Sequence, residues 1–299
     1  MKEKTYAAID IGSNAVRLLI KREDPDTDRP ELMLKKQLLL RVPLRLGFDV
    51  FSKGEISEKK AENLVRLMKA YKQLIKIYEV DRLRACATSA MRDATNGAEV
   101  LKKIKKESDI DVEIIAGDEE ARIVYNNHLE RGCFDSGAYL YVDVGGGSTE
   151  LNLMDNGRLV ASRSFNIGTV RILTGKVKQV EWDAMNDFLS ALSNKYPEIV
   201  IIGSGGNINK LYKLAETKDE RNESFPVAEL SRLYHTLAPL SIEQRMDRYS
   251  MRKDRADVII PAAEIFLNIA STVCATRIVV PTIGVADGII DGLFLADRR

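Results

Sequence analysis

The sequence predicts an α/β protein built from two copies of one half-domain, and three observations carry that prediction. An apolar run at residues 6–9 ends at Asp10, passes through Ile11-Gly12-Ser13-Asn14 and resumes as residues 16–20. The same order returns later: residues 138–142 end at Asp143, Gly145, Gly146 and Gly147 lead into Ser148, Thr149 and Glu150, and residues 151–154 resume the strand pattern. After each hairpin a third strand-like run gives way to alternating helical and strand periodicities, the signature of a layered α/β architecture. The repeat places Asp10 and Asp143 in equivalent positions.

The elements follow in order. The first hairpin occupies about 5–21 and a polar turn lies at 24–28. A third strand is expected through 31–41, leading into Val42-Pro43-Leu44-Arg45-Leu46-Gly47. Ser57 is a candidate cap for a helix to about Tyr78, whose apolar positions Leu64, Met68, Tyr71 and Ile75 recur at spacings of three and four. Residues 83–88 read as a strand, 89–97 as a loop, and a basic helix runs to about Lys106. A strand at 112–115 and a helix opening at Gly117 complete the half. The second half adds a strand near 159–165, a turn at 166–171, helices near 180–195, a strand at 199–202 and a Gly203–Asn207 cluster entering a helix. Further helices run to about 276, a strand lies at 278–281, and a terminal helix follows Gly284. The expected domains are residues 1–123 and 124–299, with the last helix packing back on the first.

Composition narrows the function. Apolar content of 45%, charged content of 30% and a net charge of +1 fit a soluble globular protein with no global case for nucleic acid or an anionic membrane. An anionic substrate would need a local basic site. Cys86, Cys133 and Cys274 are isolated and read as core thiols in a reducing compartment, and His128 and His235 lack metal-ligand spacing. The amino terminus has no apolar leader. The longest apolar stretch, 256–275, contains Asp257, Glu264 and Asn268 and reads as a buried helix, so a cytoplasmic location is expected.

The glycine loops point to phosphate. Glycine lets a ligand approach bare amides, and a carboxylate beside them suggests a cation balancing phosphate charge. A dinucleotide fingerprint needs a helix directly after the glycines, whereas here a strand follows. A lone Gly-Gly-Gly would read as a hairpin turn; its repeat at Gly12 shifts the balance. Hydrolysis of a phosphoanhydride needs a cradle, a water and a group to position that water. The cradle candidates are the amides around Gly12, Ser13 and Asn14, those of Gly145, Gly146, Gly147 and Ser148, and those of Gly205 and Gly206, with Arg92 as side-chain cation. Glu119 and Glu120 open a helix, where acids also favour the dipole; neighbouring helical positions diverge, so at most one faces the reacting group. Asp143 with Glu150 is the leading metal candidate, and Asp10 could hold metal or water. Ser13, Ser148 and Thr149 suit phosphate ligation better than nucleophilic attack, since no histidine base is near them in sequence.

Five stretches bring a family resemblance: DIGSN at 10–14, ATSAMRDATNG at 87–97, GDEEAR at 117–122, YVDVGGGSTE at 141–150 and GTVR at 168–171, with RAD at 255–257 as a sixth. In order and spacing, along essentially the whole chain, they resemble the exopolyphosphatase and guanosine pentaphosphate phosphohydrolase (Ppx/GppA) family. That resemblance implies two ribonuclease-H-like halves of the actin-like ATPase and acetate and sugar kinase superfamily, with an active-site cleft between domains. It implies magnesium-dependent release of the terminal phosphate of polyphosphate, or of the 5′-phosphate of guanosine pentaphosphate, with manganese as an alternative ion and a monovalent cation as an additional one. It assigns Glu120 as base, Arg92 to phosphate and Asp143 to metal, and by analogy suggests a homodimer. Two departures matter: Phe48-Asp49 where many members have an acid directly after RLG, and Gly284-Val-Ala-Asp-Gly288 where many have GLREG. Without the further domains of longer members, a preference for short polyphosphate is expected. A small-molecule kinase of the same superfamily and a non-catalytic polyphosphate or alarmone sensor are the competing classes.

Overall fold

The computed structural model describes residues 3–26, 33–129, 137–281 and 284–298, with main chain only for 124–129. The chain forms two compact units, residues 1–133 with 285–299, and residues 134–284.

Unit 1 opens with β1 (Thr5–Ile11), β2 (Val16–Glu23) and β3 (Leu34–Val42). Then come α1 (Leu46–Lys53), α2 (Glu58–Ile77), β4 (Arg82–Ala87), α3 (Ser89–Asp93), α4 (Gly97–Ser108), β5 (Glu113–Ile114) and α5 (Gly117–Leu129). Its sheet has the order β3-β2-β1-β4-β5. β1 is central and buried along its whole length, which is why it reads as a continuous apolar run broken only by Asp10. It pairs antiparallel with β2 and parallel with β4.

Unit 2 repeats the scheme. It contains β6 (Ala138–Val144), β7 (Thr149–Asp155), β8 (Arg158–Phe165), α6 (Thr169–Leu173), α7 (Gln179–Lys195), β9 (Ile199–Ser204) and α8 (Gly206–Leu214). After these come β10 (Ser224–Pro226), α9 (Val227–Leu237), α10 (Ile242–Tyr249), α11 (Lys253–Ala256), α12 (Ile259–Thr272) and β11 (Arg277–Val279). Its sheet order, β10-β11-β9-β6-β7-β8, repeats all five strands of the first, with β8, β7, β6, β9 and β11 standing for β3, β2, β1, β4 and β5, and adds β10 at the edge. The apolar 256–275 stretch is α12, whose Ile259, Ile265, Phe266 and Ile269 are fully buried in the core of this unit. Among the described residues no helix is long and apolar enough to cross a membrane.

The last helix, α13 (Val285–Asp297), belongs to unit 1. Its Ile289, Ile290 and Phe294 pack with Tyr6, Ala8 and Leu19, and the Tyr6 and Phe294 rings meet edge to face at 5.9 Å. Lys21 of β2 reaches Asp287 at 2.9 Å and Asp291 at 3.4 Å, one helical turn apart. Burial works to lower the Lys21 pKa, but the two carboxylates outweigh it and hold it above the ordinary lysine range.

Several local expectations need correction. Residues 46–53, read without an element, form α1, because Gly47 must sit close to Ser13 and the chain turns there through Arg45 at φ 55°. Arg92 lies in the short helix α3 rather than a loop, and the 166–171 turn becomes α6 from Thr169. Ser57 stands at the start of α2 but caps no amide: its hydroxyl donates to Asp49 at 2.5 Å. Cys274 is exposed rather than a core thiol, while Cys86 is buried as expected. Cys133 and the start of the third strand at 31–32 lie outside the described residues.

Lys21→Met should lower unfolding free energy by roughly 1–3 kcal/mol, because it leaves two partly buried carboxylates facing each other. A group with a raised pKa stabilises below that pKa, so in urea titrations the difference from wild type should persist at neutral pH and shrink as pH rises beyond the lysine range.

Candidate functional site

Each unit carries a glycine loop built the same way. In unit 2 the Gly145 amide donates to the Ser148 carbonyl at 2.9 Å, and in unit 1 the Gly12 amide donates to the Ala15 carbonyl at 3.1 Å. Those two amides close their turns, so direct ligation by the loops falls to the residues between them: Ser13 and Asn14 in one, Gly146 and Gly147 in the other.

The carbonyls of both loops are held by the first turn of a following helix. Thr169 donates to Gly145 at 3.0 Å, Val170 and Arg171 donate to Gly146 at 2.8 and 3.1 Å, and the Arg171 guanidinium donates to the Gly147 carbonyl at 2.8 Å. Thr149, predicted as a phosphate ligand, is fully buried and its hydroxyl donates to the Ile167 carbonyl at 2.6 Å. It therefore braces the loop from inside. Gly168 is required by contact: a Cβ there would lie 2.4–2.5 Å from the backbone of Gly146 and Gly147. In unit 1, Arg45 and Gly47 donate to the carbonyls of Asn14 and Ser13 at 3.0 and 2.8 Å. The repeat thus includes the helix that seats the loop.

The sheet register then sorts the acids. In unit 2, Asp143 is opposite Glu150 and beside Ser204, and Glu150 is opposite Ser164. Residues directly opposite share a face, so Ser204, Asp143, Glu150 and Ser164 form one polar row across four strands. Asp143 is 9% exposed and Glu150 1%; Ser164 donates to Glu150 at 2.9 Å. Gly205 follows at φ 96°, and a Cβ there would lie 2.9 Å from Asp143 Oδ1, so the space beside that carboxylate stays open. Like charges directly opposite destabilise a ladder, which suits this pair to a shared cation. Two carboxylates with water and phosphate oxygens fit the oxygen-rich coordination of magnesium.

The equivalent row in unit 1 reads Cys86, Asp10, Arg17 and Arg41. Arg17 stands where Glu150 does and donates to Asp10 at 2.5 Å. Asp10 is therefore ion-paired in place. Among the described residues no group of three or more His, Cys, Asp or Glu side chains forms a metal nest. Burial pushes the Cys86 thiol up to about 12, so it is no nucleophile.

Glu119 and Glu120 differ in burial. Glu119 is 38% exposed and accepts from Arg84 at 2.6 Å, while Glu120 is 7% exposed within the first turns of α5. Arg92 donates to the Ile115 carbonyl at 3.0 Å, tying α3 to the segment that leads into α5. Ser13 and Ser89 hydroxyls meet at 2.9 Å, joining the Gly12 loop to the start of α3. Asp10, Ser13, Arg92 and Glu120 thus belong to one connected region of unit 1. In unit 2, Arg255 donates to Asn207 in the first turn of α8 beside Gly206. Arg255 carried a motif in the sequence, but only the fold shows that it lies at this helix start. Arg17 was missed as well, although folding the Gly12 hairpin on itself pairs it with Asp10.

Both family departures have structural roles. Phe48 lies under the Arg45 guanidinium at 4.0 Å, and Asp49 pairs with Lys60 at 2.6 Å. Asp287 is the Lys21 partner on α13.

The family model described as Ppx/GppA phosphatase family matches residues 36–296. A guanosine-5′-triphosphate,3′-diphosphate pyrophosphatase of Photobacterium profundum is 28% identical over 268 residues, covering 84% of this chain and 49% of the relative. A bifunctional 3-dehydroquinate synthase/phosphatase of Fusobacterium nucleatum is 34% identical over 172 residues, 56% of this chain and 25% of the relative. The chain thus spans about half or less of the length of these curated relatives. The crystal structure of an Aquifex aeolicus Ppx/GppA family member superposes with TM-score 0.77 at 27% identity, covering all of both chains. An exopolyphosphatase from Cytophaga hutchinsonii shares the fold, with TM-score 0.84 at 22% identity over 98% of each chain.

Gly168→Ala should cost about 1–3 kcal/mol of stability by forcing the Gly146–Gly147 backbone to shift, whereas Gly292→Ala, with open space around its Cβ position, should be neutral or mildly stabilising. Urea unfolding of the two variants beside wild type checks the contrast.

Proposed function

This chain belongs to the Ppx/GppA phosphatase family, and we propose that it is an exopolyphosphatase-type hydrolase, removing the terminal phosphate of inorganic polyphosphate as orthophosphate. The observation that carries this reading is the pairing of Asp143 with Glu150 on one face beside a glycine loop whose carbonyls are already taken. Such a loop offers its amides, not its carbonyls, to a ligand, which selects for an anion.

In this reading each unit offers its own amides to phosphate oxygens: in unit 1 those of Ser13 and Asn14, with Arg92 as the cation, and in unit 2 those of Gly146 and Gly147 and the start of α8 at Gly205 and Gly206. Asp143 and Glu150 would hold magnesium, which would supply charge neutralisation for the phosphate oxygens. Glu120 takes the proton of a water whose oxygen forms the new bond to the terminal phosphorus. The bridging P–O bond breaks, its electrons stay on the shortened chain, and Glu120 returns its proton to solvent or the leaving phosphate. Asp10, oriented by Arg17, positions that water. Short chains suffice for this chemistry, because only the terminal anhydride reacts. The competing substrate is guanosine pentaphosphate, favoured by the name of the Photobacterium profundum relative.

Phosphate release from tripolyphosphate, long polyphosphate and guanosine pentaphosphate should require a divalent cation and fall at least about 10²-fold in Glu120→Gln while binding persists. A variant that releases phosphate at the wild-type rate would remove Glu120 as base. Release from guanosine pentaphosphate alone would move the substrate assignment.

A further inference from the structure

The acid row of unit 2 contains a hydroxyl to which the reading above gives no role. Ser204 ends β9 and stands beside Asp143, on the face that carries Glu150. It is 2% exposed, and among the described residues no group hydrogen-bonds to its Oγ. A buried hydroxyl left without a partner costs about 1–3 kcal/mol. Such a group is explained by a partner that the folded chain itself does not supply, a water or an ion.

The backbone holds Ser204 in place from both sides. A Cβ on Gly203 would lie 2.9 Å from Ile208 and 3.1 Å from Phe266, and a Cβ on Gly205 would lie 2.9 Å from Asp143 Oδ1. The end of β9 is thus wedged between the core and the Asp143 carboxylate, whose Oδ1 lies on the Ser204 side of the row. The row has one other hydroxyl, that of Ser164, and it already donates to Glu150 Oε1 at 2.9 Å. Unit 1 supplies the contrast. There Arg17 stands in the place of Glu150, and Cys86 in the place of Ser204, with its Sγ 3.6 Å from Glu113 Oε1. The copy with two facing acids has an oxygen at this position, and the copy whose aspartate is ion-paired has a sulfur. Hard divalent cations take oxygen and not thiol ligands.

We infer that the Ser204 hydroxyl is a third protein ligand of the divalent cation assigned to Asp143 and Glu150; the inference rests on that assignment. A neutral hydroxyl adds an oxygen without adding negative charge. The two carboxylates then balance the dication, and no third carboxylate repels an incoming phosphate. A serine or threonine hydroxyl serves magnesium in the same way in P-loop proteins. A buried water would also satisfy the hydroxyl, but it gives no reason for serine to accompany the acid pair and cysteine the ion pair.

The test is equilibrium binding of manganese to the full chain, read from the electron paramagnetic resonance signal of the free ion, for wild type, Ser204→Ala, Ser204→Cys and Asp143→Asn. Ser204→Ala should bind manganese at least roughly tenfold more weakly. With chelator present, its urea midpoint should equal or exceed that of wild type, because no protein hydrogen bond is lost. Ser204→Cys should also lose manganese affinity, and it should bind zinc more tightly than wild type, since a thiolate selects the softer ion. Unchanged manganese affinity in Ser204→Ala, or unchanged zinc affinity in Ser204→Cys, would overturn the assignment. Asp143→Asn separates the two levels of the reading. If it weakens manganese binding and Ser204→Ala does not, only the Ser204 ligand is rejected; if neither changes binding, the cation assignment of the acid pair falls as well. Ser204-dependent manganese binding without phosphate release from polyphosphate supports the ligand and rejects only the enzymatic reading.

Discussion

The grip of a helix's first turn on the carbonyl oxygens of a glycine loop is the interaction on which the rest depends. A tight loop exposes carbonyls in one direction and amides in another, and buried carbonyls need partners. In unit 2 the amides of Thr169, Val170 and Arg171 and the Arg171 guanidinium supply them; in unit 1 the amides of Arg45 and Gly47 do so. With the carbonyls held, the amide side of the loop is left for a ligand. The same grip explains why residue 168 has no side chain, why Thr149 is buried beneath the loop, and why the third strand of each sheet must lead directly into a helix.

On this shared backbone the two copies have diverged in charge. Glu150 and Arg17 occupy the same place in the hairpin, as do Ser204 and Cys86 in the neighbouring strand. One substitution turns an acid pair suited to a cation into an internal ion pair that fixes Asp10. Duplication supplied the scaffold twice; the residue facing the aspartate decides what each copy can hold.

The chain's return through α13 ties its end to its beginning. Lys21 on β2, with Asp287 and Asp291 a turn apart on α13, adds directional contacts to an apolar interface around Tyr6 and Phe294. Asp287 pairs with Lys21, and Phe48 lies under the Arg45 guanidinium.

Much of this was legible before the structure. Strand–aspartate–glycine–strand repeats announced the duplicated sheets because a strand's apolar run and a loop's glycines are local requirements. Asp143, Glu150 and Glu120 were legible as candidates through their motifs, and the spacing of α2 followed from its apolar stripe. The choice between Glu119 and Glu120 was not legible, since both suit a helix start; only packing against Arg84 on one side and burial on the other separates them. Nor were α1 and α6, short helices whose first-turn amides hold a glycine loop's carbonyls, nor α3, whose Ser89 hydroxyl meets that of Ser13. The role of Arg17 and the placement of Arg255 at α8 likewise required register and tertiary contact. Local sequence determined which segments form strands, helices and loops, because those depend on neighbours in the chain. Tertiary structure decided which charges meet, because an ion pair is set by distance in space and not by separation in sequence.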